Sequence, residues 1–169
     1  MDLLIVRHGL AGDRDEFAAT GQPDELRPLT EEGVHRFKKT ARGLHKILEH
    51  VDLIATSPLT RAQQTAEILA KRFDMPVVET DALRPDAPYT KFASWIKKST
   101  TADPVVVVGH EPHLSGLVAW LIGDAGARIE LKKGGACLIR FDRQAQRGAG
   151  TLRWLMQPDV LRAIRNASS

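Results

Sequence analysis

The sequence predicts an α/β fold, a mostly parallel central sheet flanked by helices, with an antiparallel hairpin at its C-terminal end. Three observations carry this. Leu3-Leu4-Ile5-Val6 and Val105-Val106-Val107-Val108 are aliphatic runs without alternation, as in strands buried on both faces. Between them, apolar residues recur at spacings of three and four, the period of a helix packed on one side. The last two apolar runs, residues 136–141 and 151–156, are joined by a short polar connection, so they pair as a hairpin at a sheet edge.

Each element has its own signal. Residues 3–6 form the first strand, ended by Arg7. The stretch 12–28 is polar, holds Gly and Pro and has no period, so it reads as a loop with at most one irregular helical turn. Thr30 before Glu31 and Glu32 is helix-start chemistry, a hydroxyl cap with negative charge at the positive dipole end. Val34, Phe37, Ala41, Leu44 and Leu48 then make one apolar stripe. Residues 52–56 are a second strand, Ser57-Pro58 its turn, and 60–73 a helix with Ala62, Ala66, Leu69 and Phe73 on one face. Residues 76–79 form a third strand, 80–88 a loop, and 90–98 a helix. The valine run is a central strand by its β-branching, and a helix carrying Leu114, Leu117, Val118 and Leu121 follows it.

With 169 residues and 18.6 kDa, the chain is expected to be a single domain over 1–169. Apolar residues at 43% and charged residues at 27% exclude a disordered, collagen-like or membrane-spanning chain. The opening aliphatic run is too short for a signal peptide, and no run nears the ~20 apolar residues that cross a bilayer. Cys137 is the one cysteine, so an internal disulfide is impossible; the expected compartment is the cytoplasm. The net charge of +3 is uneven: residues 128–169 carry nine basic and three acidic groups, a balance of +6, and the rest carries −3. A basic final third could attract nucleic acid or an acidic partner. Without zinc-finger spacing, a helix-turn-helix signal or aromatic interleaving, a solvated rim is the simpler reading, and no nucleic-acid or membrane partner is expected.

In open α/β sheets, ligands bind beyond the carboxyl ends of the strands. The first strand runs into Arg7-His8-Gly9, the second is followed by Arg61 near a helix start, and the valine strand runs into Gly109-His110-Glu111. Singly, such residues are usually satisfied loop histidines and surface arginines. Core packing gives no reason for all four to sit at equivalent strand ends. Histidine is a nucleophile or proton carrier near neutral pH, and arginine forks match phosphate oxygens. The set points to phosphoryl transfer through a covalent histidine intermediate, with no metal and no cofactor.

At these residues the sequence resembles the histidine phosphatase superfamily, also called phosphoglycerate-mutase-like. Arg7-His8-Gly9 is similar to its signature, residues 56–66 (TSPLTRAQQTA) to its second motif, and Val108-Gly109-His110 to its third. Pro28-Leu29-Thr30 with Gly33 fits the opening of its first helix, so the resemblance spans 3–115. It implies that His8 attacks phosphorus, that its other ring nitrogen donates to a backbone carbonyl, and that Arg7 and Arg61 clamp phosphoryl oxygens. His110, as a cation, would complete the pocket.

Many relatives also place a carboxylic acid after the third strand, to protonate an alkoxide leaving group. Residues 79–88 do not match that motif; Asp81, Asp86 and Glu111 are the available carboxylates, each more simply a turn former or cap. The mutases' covering insertion also has no room here. A missing acid and an open site favour phosphohistidine in a protein, because imidazole, with a pKa of about 6.5, leaves readily. Size and motifs resemble the small bacterial protein phosphohistidine phosphatases of the SixA type. The alternatives are a phosphatase of small phosphate esters, with Asp81 or Asp86 as acid, and a non-catalytic phosphate-binding module. Cys137 and Trp95, Trp120 and Trp154 read as packing residues, His35, His45 and His50 as surface, and His113 as pocket rim. Lys132-Lys133-Gly134-Gly135 precedes a strand and could lie near the open end of the sheet, without a fixed place in the sequence reading.

Overall fold

A computed structural model describes residues 1–98 and 101–164. Six strands form one sheet: β1 (Asp2–Arg7), β2 (Leu53–Thr56), β3 (Val77–Glu79), β4 (Val105–Gly109), β5 (Ala136–Arg140) and β6 (Thr151–Met156). Their order is β3-β2-β4-β1-β5-β6, with β3, β2, β4 and β1 parallel and β5 and β6 antiparallel to their neighbours. The aliphatic runs are buried on both faces, as their lack of alternation requires. Leu3, Ile5, Val105 and Val107 pack into one core and Leu4, Val6, Val106 and Val108 into the other. Burying a side chain of this size contributes about 2 kcal/mol.

Helices α4 (Tyr89–Lys98) and α5 (His113–Ile122) cover the first face through Phe92, Ile96, Leu114, Leu117, Val118 and Leu121. Helices α2 (Glu31–Ile47), α3 (Thr60–Phe73) and α6 (Pro158–Ile164) contribute Phe37, Ala41, Leu44, Ala62, Ala66, Leu69 and Leu161 to the second. Thr30 caps α2 as expected, its Oγ1 accepting from Gly33 N–H at 2.9 Å. Trp95 and Trp120 pack against the first core and Trp154 against the second. Cys137 is buried, and burial pushes its thiol up to about 12.

Two regions differ from the sequence reading. The 12–28 loop is more ordered than its composition suggests: α1 (Arg14–Ala18) is capped by Asp13, whose carboxylate accepts from Asp15 and Glu16 N–H, and a 3₁₀ turn occupies Asp24–Leu26. Helix α6 was not anticipated at all. It has seven residues, buries Leu161 and packs Ile164 partly buried against the same core, one pair too short to make an apolar period.

Register positions the site. β1 and β4 align Arg7 with Gly109, and β2 and β4 align Thr56 with Val108. The ladder continues past the strand ends, with His8 N–H donating to Gly109 O and Ser57 N–H to Val108 O, both at 3.1 Å. His8, Ser57 and His110 therefore leave the sheet at one level. No helix among the described residues is long and apolar enough to cross a membrane.

Candidate active site

His8 is 5% exposed, and its Nδ1 lies 2.7 Å from Gly9 O. A carbonyl can only accept, so Nδ1 carries the proton and Nε2 keeps its lone pair. The turn itself is held by α3: Gly9 N–H donates to Thr65 Oγ1 at 3.0 Å, and that hydroxyl donates to Arg61 O at 2.7 Å. The His110 ring lies 5.2 Å from His8, between centroids, with Nε2 2.8 Å from Ser57 Oγ. All four predicted residues, Arg7, His8, Arg61 and His110, line one cavity of about 360 Å³. Arg7 Nη1 donates to Leu131 O at 2.9 Å.

Both rings are neutral among the chain's own charges. His8 is pushed down to about 3 by burial and then by Arg61 and Arg7, against the pull of its bond to Gly9. His110 is pushed down to about 2 by burial, then by His8 and Arg61. This corrects the expectation that His110 stands ready as a cation: it would have to gain its proton together with an incoming anion, whose charge favours the protonated ring. Arg7 Nε, Arg61 Nε and His110 Nδ1 are buried with no hydrogen-bond partner among the described residues. Nitrogen atoms without partners, on residues lining one small cavity, fit an oxyanion.

The carboxylate candidates separate. Asp81 and Asp86 lie outside the cavity lining, their side chains 63% and 85% exposed and paired with Arg84 at 4.0 and 3.8 Å. Glu111 does line the cavity, but its two oxygens accept from Ser115 N–H and Ser115 Oγ, bracing the first turn of α5.

Sequence reasoning missed Asp24 and Arg27 and gave Lys133 no role; all three form cavity walls. Asp24 Oδ1 accepts from Arg27 Nε at 2.7 Å, while Arg61 donates to Asp24 Oδ2 at 3.1 Å and to Asp24 O at 2.9 Å. The Arg27 and Arg61 guanidiniums hold the Asp24 carboxyl below its usual range. Burial, then Arg7 and Arg27, lowers the Lys133 ammonium. His113 is not on this rim. It is buried, donates from Nε2 to Ala87 O at 2.9 Å and lines a neighbouring groove of about 990 Å³ with Tyr89 and Trp120. That groove is larger but holds neither His8 nor the two arginines. His45 packs its ring on Phe73, whereas His35 and His50 are exposed.

A sequence profile described as "Histidine phosphatase superfamily (branch 1)" matches residues 3–85. An uncharacterized protein of Picosynechococcus sp. is 38% identical over 144 residues, 83% of this chain and 85% of that one. Among solved structures, the protein histidine phosphatase SixA complexed with tungstate superposes with a TM-score of 0.80 at 26% identity, over 95% of this chain and 99% of that one. A putative alpha-ribazole-5'-P phosphatase from Escherichia coli gives 0.72 at 22% identity, over 94% and 97%, a likeness of fold. Matched by this profile through its first half, and over 95% of its length by the structure of a protein histidine phosphatase, the chain belongs to the histidine phosphatase superfamily.

Proposed function

We propose that the protein is a phosphatase that removes the phosphoryl group from phosphohistidine in another protein, through a phosphorylated His8. The observation that carries this is the His8 ring itself, buried, neutral and committed at Nδ1 to Gly9 O, so that Nε2 is a lone-pair nucleophile beside two arginines. Nε2 attacks phosphorus and the substrate's P–N bond breaks. A phosphoimidazole protonated on its second nitrogen leaves as neutral imidazole, so no acid has to be supplied. Water then attacks the phosphoryl group on His8, and the bond to Nε2 breaks with Nδ1–H keeping the leaving ring neutral. Arg7 and Arg61 hold the equatorial oxygens, and His110 takes up a proton as the dianion arrives. Guanidinium charge does the work that a metal ion would otherwise do, so a chelator leaves the rate unchanged.

The cavity position of Glu111 favours one second reading, a phosphatase of small phosphate esters with Glu111 as acid in place of Asp81 or Asp86. A screen pairing a phosphohistidine protein with phosphate monoesters separates the two. The first reading expects phosphohistidine to be cleaved at least about 100-fold faster, with Glu111→Gln costing less than about threefold. His8→Ala loses about 10³-fold or more on any substrate, and alkaline quench traps phosphate on wild-type His8. A preference for esters that Glu111→Gln abolishes gives the second reading, and full activity in His8→Ala removes both.

A further inference from the structure

A second pocket of about 320 Å³, which shares Arg7 with the catalytic cavity but is not lined by His110, opens between α2, the 132–134 turn and α6. Five cations line it: Arg7, Arg36, Lys132, Lys133 and Arg162. Phe37 forms part of its wall, and no carboxylate is among its lining residues. Arg36 is bound at 3.1 Å by Glu32, an exposed pair on the same helix. Among the described residues, the side chains of Lys132, Lys133 and Arg162 form no ion pair.

This arrangement is unfavourable by itself. Like charges brought to one pocket repel; of these cations Arg7 acts on Lys133, whose ammonium is lowered by burial, then by Arg7 and by Arg27 of the catalytic cavity. Nothing in the packing requires it, because the apolar anchors of α2 and α6 here are Phe37, Ala41, Leu44 and Leu161. An anion would convert the repulsion into a set of charge-assisted bonds. The pocket also shares Arg7 and Lys133 with the catalytic cavity, so an oxyanion in each would share one guanidinium and one ammonium.

We propose that this pocket is a second oxyanion subsite, which holds another anionic group of the substrate while His8 attacks the phosphoryl group in the first. The chemistry it selects is a phosphate or carboxylate placed beside the transferred group. Naming the substrate as its source rests on the phosphatase reading above, whereas anion binding by the pocket does not. The basic balance of residues 128–169 thus gains a local purpose through Lys132, Lys133 and Arg162.

Titration calorimetry with inorganic phosphate tests the site directly. Wild type is expected to bind two phosphates per chain and Lys132→Ala/Arg162→Ala one, with amide resonances of residues 36, 132–134 and 162 moving only in wild type. Arg61→Gln is expected to lose the other site and keep this one. A single site in wild type, or two undiminished sites in Lys132→Ala/Arg162→Ala, overturns the proposal.

Three substrates then identify the source: a simple phosphoramidate, a phosphohistidine peptide flanked by glutamates, and a sugar bisphosphate. In Lys132→Ala/Arg162→Ala, kcat/KM relative to the simple phosphoramidate is expected to fall about tenfold for the substrate carrying the matching second anion. A fall for the peptide assigns a partner's carboxylates, and a fall for the bisphosphate assigns a second phosphate. A fall for neither refutes the substrate role. Failure of wild type on all three would refute the phosphatase reading, and the titration would still decide the pocket.

Discussion

Asp24 hydrogen-bonds two arginines at once, Arg27 on one carboxylate oxygen and Arg61 on the other, with Arg14 paired more loosely at 3.9 Å. Its negative charge stands in the cavity that a phosphoryl dianion must enter. Two effects therefore oppose each other, a strut that aims Arg61 and a charge that repels substrate. Arg61 keeps its bond to the main-chain Asp24 O whatever the side chain, so repulsion should be the larger effect. At several ångströms in a half-exposed site, one charge is worth about 1 kcal/mol. Asp24→Asn is accordingly expected to lower KM about threefold to tenfold in steady-state kinetics, with kcat little changed. A raised KM would show that the strut dominates. At this scale the sequence revealed the residues that terminate strands and hid those that do not. Arg7, His8 and His110 follow aliphatic runs whose ends are visible, whereas Asp24 and Arg27 lie in a stretch without period and reach the cavity through folding of the 12–28 segment. The protonation of His110 was hidden too, because burial is a property of the assembled site.

Helix α2 does two separate jobs at two glycines. A Cβ on Gly33 would fall 2.0 Å from Leu10 O, in the turn that follows His8 and Gly9. A Cβ on Gly43 would fall 1.9 Å from Leu161 O, the carbonyl of α6 that lies against it. Both glycines are buried, and in each case the obstacle is backbone, which cannot swing aside like a side chain. Gly33→Ala must displace the loop that positions the nucleophile, so about a 100-fold loss of kcat/KM is expected. Gly43→Ala must displace α6, far from His8, at an overpacking cost of about 1–3 kcal/mol. Thermal unfolding should show a lower Tm for Gly43→Ala with kcat within about twofold of wild type. Equal losses of rate in the two variants would contradict this division. Neither contact is legible in the sequence: Gly33 shows there only as part of the helix-opening pattern, and Gly43, in mid-helix, only as a weak helix former. The start of the same helix is legible, because Thr30, Glu31 and Glu32 act on their own neighbours.

For the whole molecule, the fold class follows from uninterrupted β-branched runs, but strand order does not. Nothing local in Leu3-Leu4-Ile5-Val6 states that β4 and β5 will flank it, a result of long-range pairing. Folding also buries three imidazoles, His8 and His110 where the strand ends meet and His113 at the start of α5, at 5%, 2% and 4% exposure. Burial is the first cause of the lowered pKa in each, to about 3 for His8 and about 2 for His110. In the unfolded chain each ring titrates near about 6.5. Above that pH all three are neutral in both states and pH has no leverage through them. Below it the unfolded chain binds protons that the native state refuses, so stability falls with acidification, by up to about 1.4 kcal/mol per pH unit for each ring. The lowered carboxyls of Asp2, Asp13 and Asp24 add their loss only near their own range, below about pH 4. Urea unfolding in phosphate-free buffer should therefore show a loss of about 3 kcal/mol or more between pH 7 and pH 5. His113→Gln should flatten that slope by up to about a third. Added phosphate should flatten it as well, since its charge lets the His110 ring beside it keep a proton in the native state. A stability that is level from pH 6.5 to pH 5 would mean that these rings already titrate in the folded protein, and the neutral His8 nucleophile would go with them.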